Sequence, residues 1–136
     1  MPGYSGTPLV RKLGIKPGML VGLRHAPAGF RAALEPWPAG ARITTPASGP
    51  LDAIMLFAGD AATLEREYPQ AAAALRPAGM LWIAWPKKAS NVATDLSEDR
   101  VRAIGLSAGL VDVKVCAVTD VWAGLKFVRR LADRSR

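Results

Sequence analysis

Cysteine and histidine are almost absent: Cys116 and His25 stand alone in 136 residues. One cysteine excludes a disulfide framework, and one histidine excludes a His-rich zinc site or a Cys/His metal cluster, so no metal site is expected. Long apolar runs are missing too. The longest, residues 78–85, falls far short of the roughly 20 residues that span a bilayer, and no membrane association is expected. The first residues lack the basic start and apolar core of a secretory signal, which points to a cytoplasmic protein. Acidic residues are scarce, 11 against 18 Lys and Arg. Even so, no run of five like charges occurs, and the segment 131–136 reads as a frayed basic tail rather than a polycationic arm.

What the chain does have is the composition of a packed domain. Half of its residues are hydrophobic and 21% are charged, a balance that excludes intrinsic disorder. Its length suits a single domain over 1–136, with residues 1–14 as an N-terminal arm and helix. The net charge of +7 is unevenly spread. Residues 1–50 hold six bases against Glu35 alone, and residues 101–136 hold seven against Asp112, Asp120 and Asp133. Such a surplus suits nucleic acid or an acidic ligand. A composition biased toward Arg, Ala, Gly and Pro accounts for it equally well.

Along the chain, Ser5 or Thr7 is placed to cap a short helix through Leu9, Val10 and Leu13 that Gly14 ends. A turn at 15–18 leads to a strand at 19–23, the loop 24–29 and a helix at 30–35, the order of a nucleotide-binding βαβ unit. A weak strand at 41–44 and a loop at 45–50 precede a buried strand at 51–57. Asp60 caps a helix over 61–68, which Pro69 is expected to restart over 70–75. Residues 76–79 read as a turn before a second continuous apolar strand at 80–85. Apolar strands separated by helices require a parallel sheet covered on both faces. Asp95 or Ser97 caps the helix 97–108, and the alternating 110–118, the turn 119–124 and the return 125–129 predict a closing antiparallel hairpin. Trp82 and Trp85 fall on opposite faces of their strand.

The segment RPAGML at 76–81 resembles the turn that class I methyltransferases place before their fifth strand, and residues 109–129 resemble their last two strands. More specifically, YSGTPL (4–9), WPKK (85–88), TDL (94–96), GLVDVKVCA (109–117) and WAGLKFV (122–128) resemble a small bacterial family of unknown function. Ala123 departs from that pattern, which often has serine there. The resemblance implies an α/β fold, a Rossmann-like three-layer sandwich with a mostly parallel sheet closed by a C-terminal antiparallel hairpin, like a shortened class I methyltransferase. It does not imply an intact S-adenosylmethionine site. Arg24 and His25 stand where a glycine-rich turn is expected, and Thr44 and Thr45 stand where an acid would hold the ribose.

The candidate ligand residues are Lys87, Lys88, Ser90 and Thr94 after the strand 80–85, with Arg24 and His25 after the strand 19–23. Strand exits on this side of an open α/β sheet are where ligands bind. Two ammonium groups, two hydroxyls and the start of the helix 97–108 would cradle an anion. His25 has the chemistry of a general base, but no nucleophile or metal partner accompanies it in sequence. The residues 4–7 are a further candidate, folding over a ligand mouth. The expected function is therefore a non-catalytic binding or regulatory module for an anionic small molecule. A methyltransferase-like enzyme using residues 24–29 around S-adenosylmethionine is the second reading. Nucleic-acid binding by the two basic thirds is the third.

Overall fold

The computed structural model describes residues 8–44, 50–107 and 109–134. The expected cap at Ser5 or Thr7, the lid at 4–7, Thr45, Ala108 and the end of the tail lie outside the described residues. The elements run α1 (Leu9–Lys12), β1 (Leu20–Arg24), α2 (Phe30–Ala33), β2 (Arg42–Thr44), β3 (Leu51–Phe57), α3 (Ala61–Ala73), β4 (Leu75–Pro86), α4 (Glu98–Ser107), β5 (Leu110–Ala117) and β6 (Trp122–Arg129). They build one six-stranded sheet in the order β2-β1-β3-β4-β6-β5, in which only β6 runs antiparallel to its neighbours. No helix among the described residues is long and apolar enough to cross a membrane.

Strand alternation divides the core in two. Ile54, Leu56, Leu81, Ile83 and Trp85 face α3 and α4. Ala53, Met55, Phe57 and Trp82 face α1 and α2. Both tryptophans of β4 are thus core residues on opposite faces, with Trp82 at 0% and Trp85 at 5% exposure. Asp52 is the one charged residue of β3 and ties three strands together at their start. Its carboxylate accepts from Leu20 N at 2.8 Å and pairs with Arg76 Nε at 3.1 Å.

Several elements differ from the sequence expectation. Pro69 does not restart a helix; it lies inside the continuous α3. Its missing N–H leaves the carbonyl of Glu65 without that donor, and both residues are exposed, so the oxygen is open to solvent. The turn expected at 76–79 is absorbed into β4 as a bulge, with Leu51 opposite Leu75 and Ala53 opposite Met80. The helix at 30–35 is shorter than expected, stopping at Ala33 with Leu34 as its C-cap. β6 begins at Trp122 instead of residue 125. After it, Leu131–Asp133 form a 3-10 turn, and Arg134 Nε donates to the Arg129 carbonyl at 3.0 Å.

Candidate ligand site at the carboxyl rim

Because β2, β1, β3 and β4 are parallel, their carboxyl ends finish along one edge. The antiparallel β6 starts at that edge, with Trp122 opposite Pro86. The rim therefore gathers the exits of four strands and the β5–β6 turn, and both groups of expected site residues lie on it.

Arg24 and His25 turn toward α3. Arg24 Nη2 lies 3.0 Å from Gln70 Oε1 and 3.3 Å from Glu67 Oε1, and His25 Nε2 lies 3.2 Å from the same Glu67 oxygen. His25 reaches it from a left-handed backbone, φ 59°. Partial burial pushes the Glu67 carboxyl up, but the His25 hydrogen bond and the charges of His25, Arg24 and Arg66 outweigh it and hold the group below its ordinary value. The pair clamps the β1 exit to α3.

Lys87 and Lys88 follow β4. The Lys87 backbone N–H donates to the Val121 carbonyl at 2.7 Å, pinning the strand exit to the β5–β6 turn. Ser90 donates its hydroxyl to the Lys87 carbonyl at 2.6 Å and accepts from Val92 N, while Thr94 donates to the Gly59 carbonyl at 2.7 Å and accepts from Leu96 N. Both hydroxyl protons are thus engaged within the loops. The cap of α4 is Ser97, which accepts from Arg100 N at 3.2 Å, and Glu98 and Asp99 occupy the first turn. That helix start already faces negative charge and offers an anion little.

Asp95, expected as an alternative cap of α4, serves another helix. Its Oδ1 accepts from Ala61 N at 2.8 Å, beside Asp60 accepting from Thr63 N at 2.8 Å. Two carboxylates, one local and one from 34 positions away, close the α3 N-terminus. Asp95→Ala will therefore cost about 1 kcal/mol, the ordinary worth of an N-cap, in urea denaturation. Asp95→Asn, which keeps the acceptor, will cost less, and an equal loss in both variants would contradict the capping role.

Two clefts flank the ridge 27–29. The first, ≈ 340 Å³, lies between Leu23 and Ile43 of the sheet and the small side chains Ala26 and Ala28, with Arg31 at its edge. The second, also ≈ 340 Å³, lies between Phe30 and the turn carrying Asp120, Val121 and Trp122. Its wall residues Phe30 and Trp122 both pack edge-to-face on the buried Phe57, at 4.8 Å and 5.1 Å. Arg24 and His25 line neither cleft among the described residues. No local pattern signals the second cleft, whose walls come from residues about 90 positions apart, the start of α2 and the β5–β6 turn.

Solved structures similar to this chain include methyltransferases. The ribosomal protein L11 methylase of Lactobacillus delbrueckii subsp. bulgaricus superposes with a TM-score of 0.61 at 13% identity, covering 90% of this chain and 75% of that one. A SAM dependent methyltransferase from Aquifex aeolicus gives 0.59 at 15%, covering 88% and 86%. The magnesium protoporphyrin IX methyltransferase of Synechocystis PCC 6803 with bound SAH gives 0.61 at 11%, covering 90% and 78%. The fold is that of the class I methyltransferases. At these identities the likeness is one of architecture alone. No family model matches the chain, and no curated protein does. Of the resemblance drawn from the motifs, the methyltransferase-like fold is what stands.

Proposed function

We propose that this chain is a small-molecule-binding domain of the methyltransferase fold, and that it takes an S-adenosyl compound in the first cleft. The observation that carries this reading is the position of that cleft, at the carboxyl ends of β1 and β2 and beneath a ridge of small residues. This is where open α/β sheets bind ligands. Leu23 and Ile43 offer apolar walls to a purine, and the Ala26 and Ala28 side chains let the backbone approach. The residues suit the adenosyl half of the ligand. In place of an acid for the ribose, β2 ends in Thr44, whose hydroxyl is buried and lacks a hydrogen-bond partner among the described residues.

S-adenosylmethionine would bring an electrophilic methyl group to the rim. Of the chain's own side chains, Arg31 would hold an anionic end of the ligand. The Nε2 of His25 is engaged with Glu67, and the residue lines neither cleft. Binding without transfer is therefore the reading we favour.

The second reading is an anion held by Lys87 and Lys88, favoured because neither lysine is ion-paired among the described residues. Lys87 is moreover bonded through its backbone to Val121, a wall of the second cleft. Thermal melts with S-adenosylmethionine, S-adenosylhomocysteine, nucleotides and phosphorylated metabolites separate the two. A ligand at 100 times its Kd adds about 2.7 kcal/mol, or roughly 9 °C for a domain of this size. An adenosyl shift is expected in the wild type and in Lys87→Ala/Lys88→Ala, and its loss in Ala28→Trp, which fills the cleft from an exposed position. A shift with another anion alone, abolished by the double lysine variant, would replace the adenosyl reading with the second one.

A further inference from the structure

Away from the rim, on the face covered by α1, four lysines converge. Lys114 and Lys126 stand directly opposite one another on β5 and β6. Lys126 neighbours Trp82 across the sheet, and its Nζ lies 3.8 Å from where a Cβ on Gly14 would sit, at the end of α1. Lys12 belongs to the last turn of that helix, and Lys16 follows it. Partial burial pulls the Lys126 ammonium below its ordinary value, and the charges of Lys114 and Lys16 add to the effect. Lys12 and Lys114 both act on the half-buried Cys116. The chain has eleven acidic side chains, all described, and none forms an ion pair with any of these four lysines.

Local structure maintains this arrangement against its own electrostatics, since like charges directly opposite across a sheet repel. In a regular strand Asp112 and Lys114 would share a face. The register instead jumps: Asp112 pairs with Phe127 and Lys114 with the next residue, Lys126, leaving Val113 as an extra residue. Asp112 thereby stays on the α4 face, 2.9 Å from Arg102 Nε, while Lys114 is turned to the α1 face. Re-aiming one side chain is a recognised use of a β-bulge. Here it moves a cation away from the nearest acid and onto another cation.

We propose that Lys12, Lys16, Lys114 and Lys126 form a binding site for an oligophosphate, a compact anion with enough charge to satisfy several ammonium groups at once. Four lysines on one patch, drawn from the end of α1 and two neighbouring strands, favour a compact ligand over an extended nucleic-acid backbone. Lys16 also borders a cleft of ≈ 520 Å³, with Arg11 and Trp37. The oligophosphate chain is therefore either free or carried by a nucleoside whose base rests beside Trp37. The site is separate from the rim and does not depend on the adenosyl reading.

Calorimetric titration of the full chain with sodium triphosphate and with ATP tests it, beside Lys114→Met/Lys126→Met, which keeps the apolar stems. Charge-assisted contacts of this kind support a loss of about tenfold or more in triphosphate affinity in that variant. Lys87→Ala/Lys88→Ala and Ala28→Trp should bind triphosphate as the wild type does. ATP binding more tightly than triphosphate, with the excess lost in Trp37→Ala, identifies a nucleotide; equal affinities identify the free anion. No triphosphate binding at low salt, wild-type affinity in the methionine variant, or an equal loss in the rim-lysine variant would each overturn the proposal. So would retention of single-stranded DNA, steeply salt-dependent, without triphosphate binding.

Discussion

Trp82→Ala will destabilise the chain by about 3 to 5 kcal/mol, the range for truncating a large buried aromatic. Trp82 is fully buried at the middle of β4, paired with Met55 on one side and Lys126 on the other. Its indole N–H donates to the Leu13 carbonyl at 2.9 Å, just after α1. A helix of four residues has no stability of its own. It stays on the sheet through Val10, Leu13 and this bond. Truncation thus opens a cavity and leaves a buried carbonyl without its donor. Trp82→Phe separates the two effects, since it retains much of the packing and loses the bond, and about 1 to 3 kcal/mol is expected. Urea denaturation gives both numbers. A loss in Trp82→Ala no larger than in Trp82→Phe would mean that α1 is held by the bond and not by packing.

The parts of the fold legible in sequence are those whose burial is two-sided. β3 matches its expected bounds because a strand covered on both faces needs an uninterrupted apolar run, and residues 51–57 supply one except for Asp52. Turn residues misled where the backbone approaches something closely. Gly124 reads as part of a turn, yet it lies within β6, opposite Ala84. A Cβ there would sit 2.7 Å from Val118 Cγ2 and 3.1 Å from the Trp82 ring. Glycine in a strand signals such an approach as often as a turn. Pro77 and Gly79 suggested a break in the same way, and the sheet took them in as a bulge.

For the candidate site, position was legible and partnership was not. A strand exit followed by Lys87 and Lys88 places both on the ligand-binding edge of a parallel sheet, and they lie there. Whether a polar side chain is free depends on contacts far along the chain. The Thr94 hydroxyl donates to Gly59, the Asp95 carboxylate accepts from Ala61, and the Arg24 guanidinium donates to Gln70, 46 positions away. No local pattern distinguishes a hydroxyl that waits for a ligand from one that fastens two loops. The bulge at Val113 was equally hidden, because the alternating valines of 111–115 describe a regular strand.

Gly105→Ala is expected to destabilise the chain, by about 2 kcal/mol, although alanine in a helix interior ordinarily gains up to about 1 kcal/mol over glycine. α4 lies against β6 so closely at this point that a Cβ on Gly105 would run into the Phe127 ring at Cε2 and Cζ. Phe127 is fully buried, so its ring has no solvent to retreat into. The Gly105 carbonyl also accepts from the Tyr68 hydroxyl at 3.0 Å, joining α4 to α3. Burial raises the Tyr68 pKa, opposed by the charge of Arg129, so the hydroxyl keeps its proton and the bond persists across neutral pH. A helix pushed outward by one methyl group must lengthen this bond as well. The steric account makes a further demand: in Gly105→Ala/Phe127→Leu the smaller side chain leaves room for the methyl, and the double variant should be more stable than the sum of the two single losses predicts. Strict additivity would locate the cost in the backbone of α4 rather than in the contact. It would also remove the reason for a glycine where α4, β6 and α3 meet.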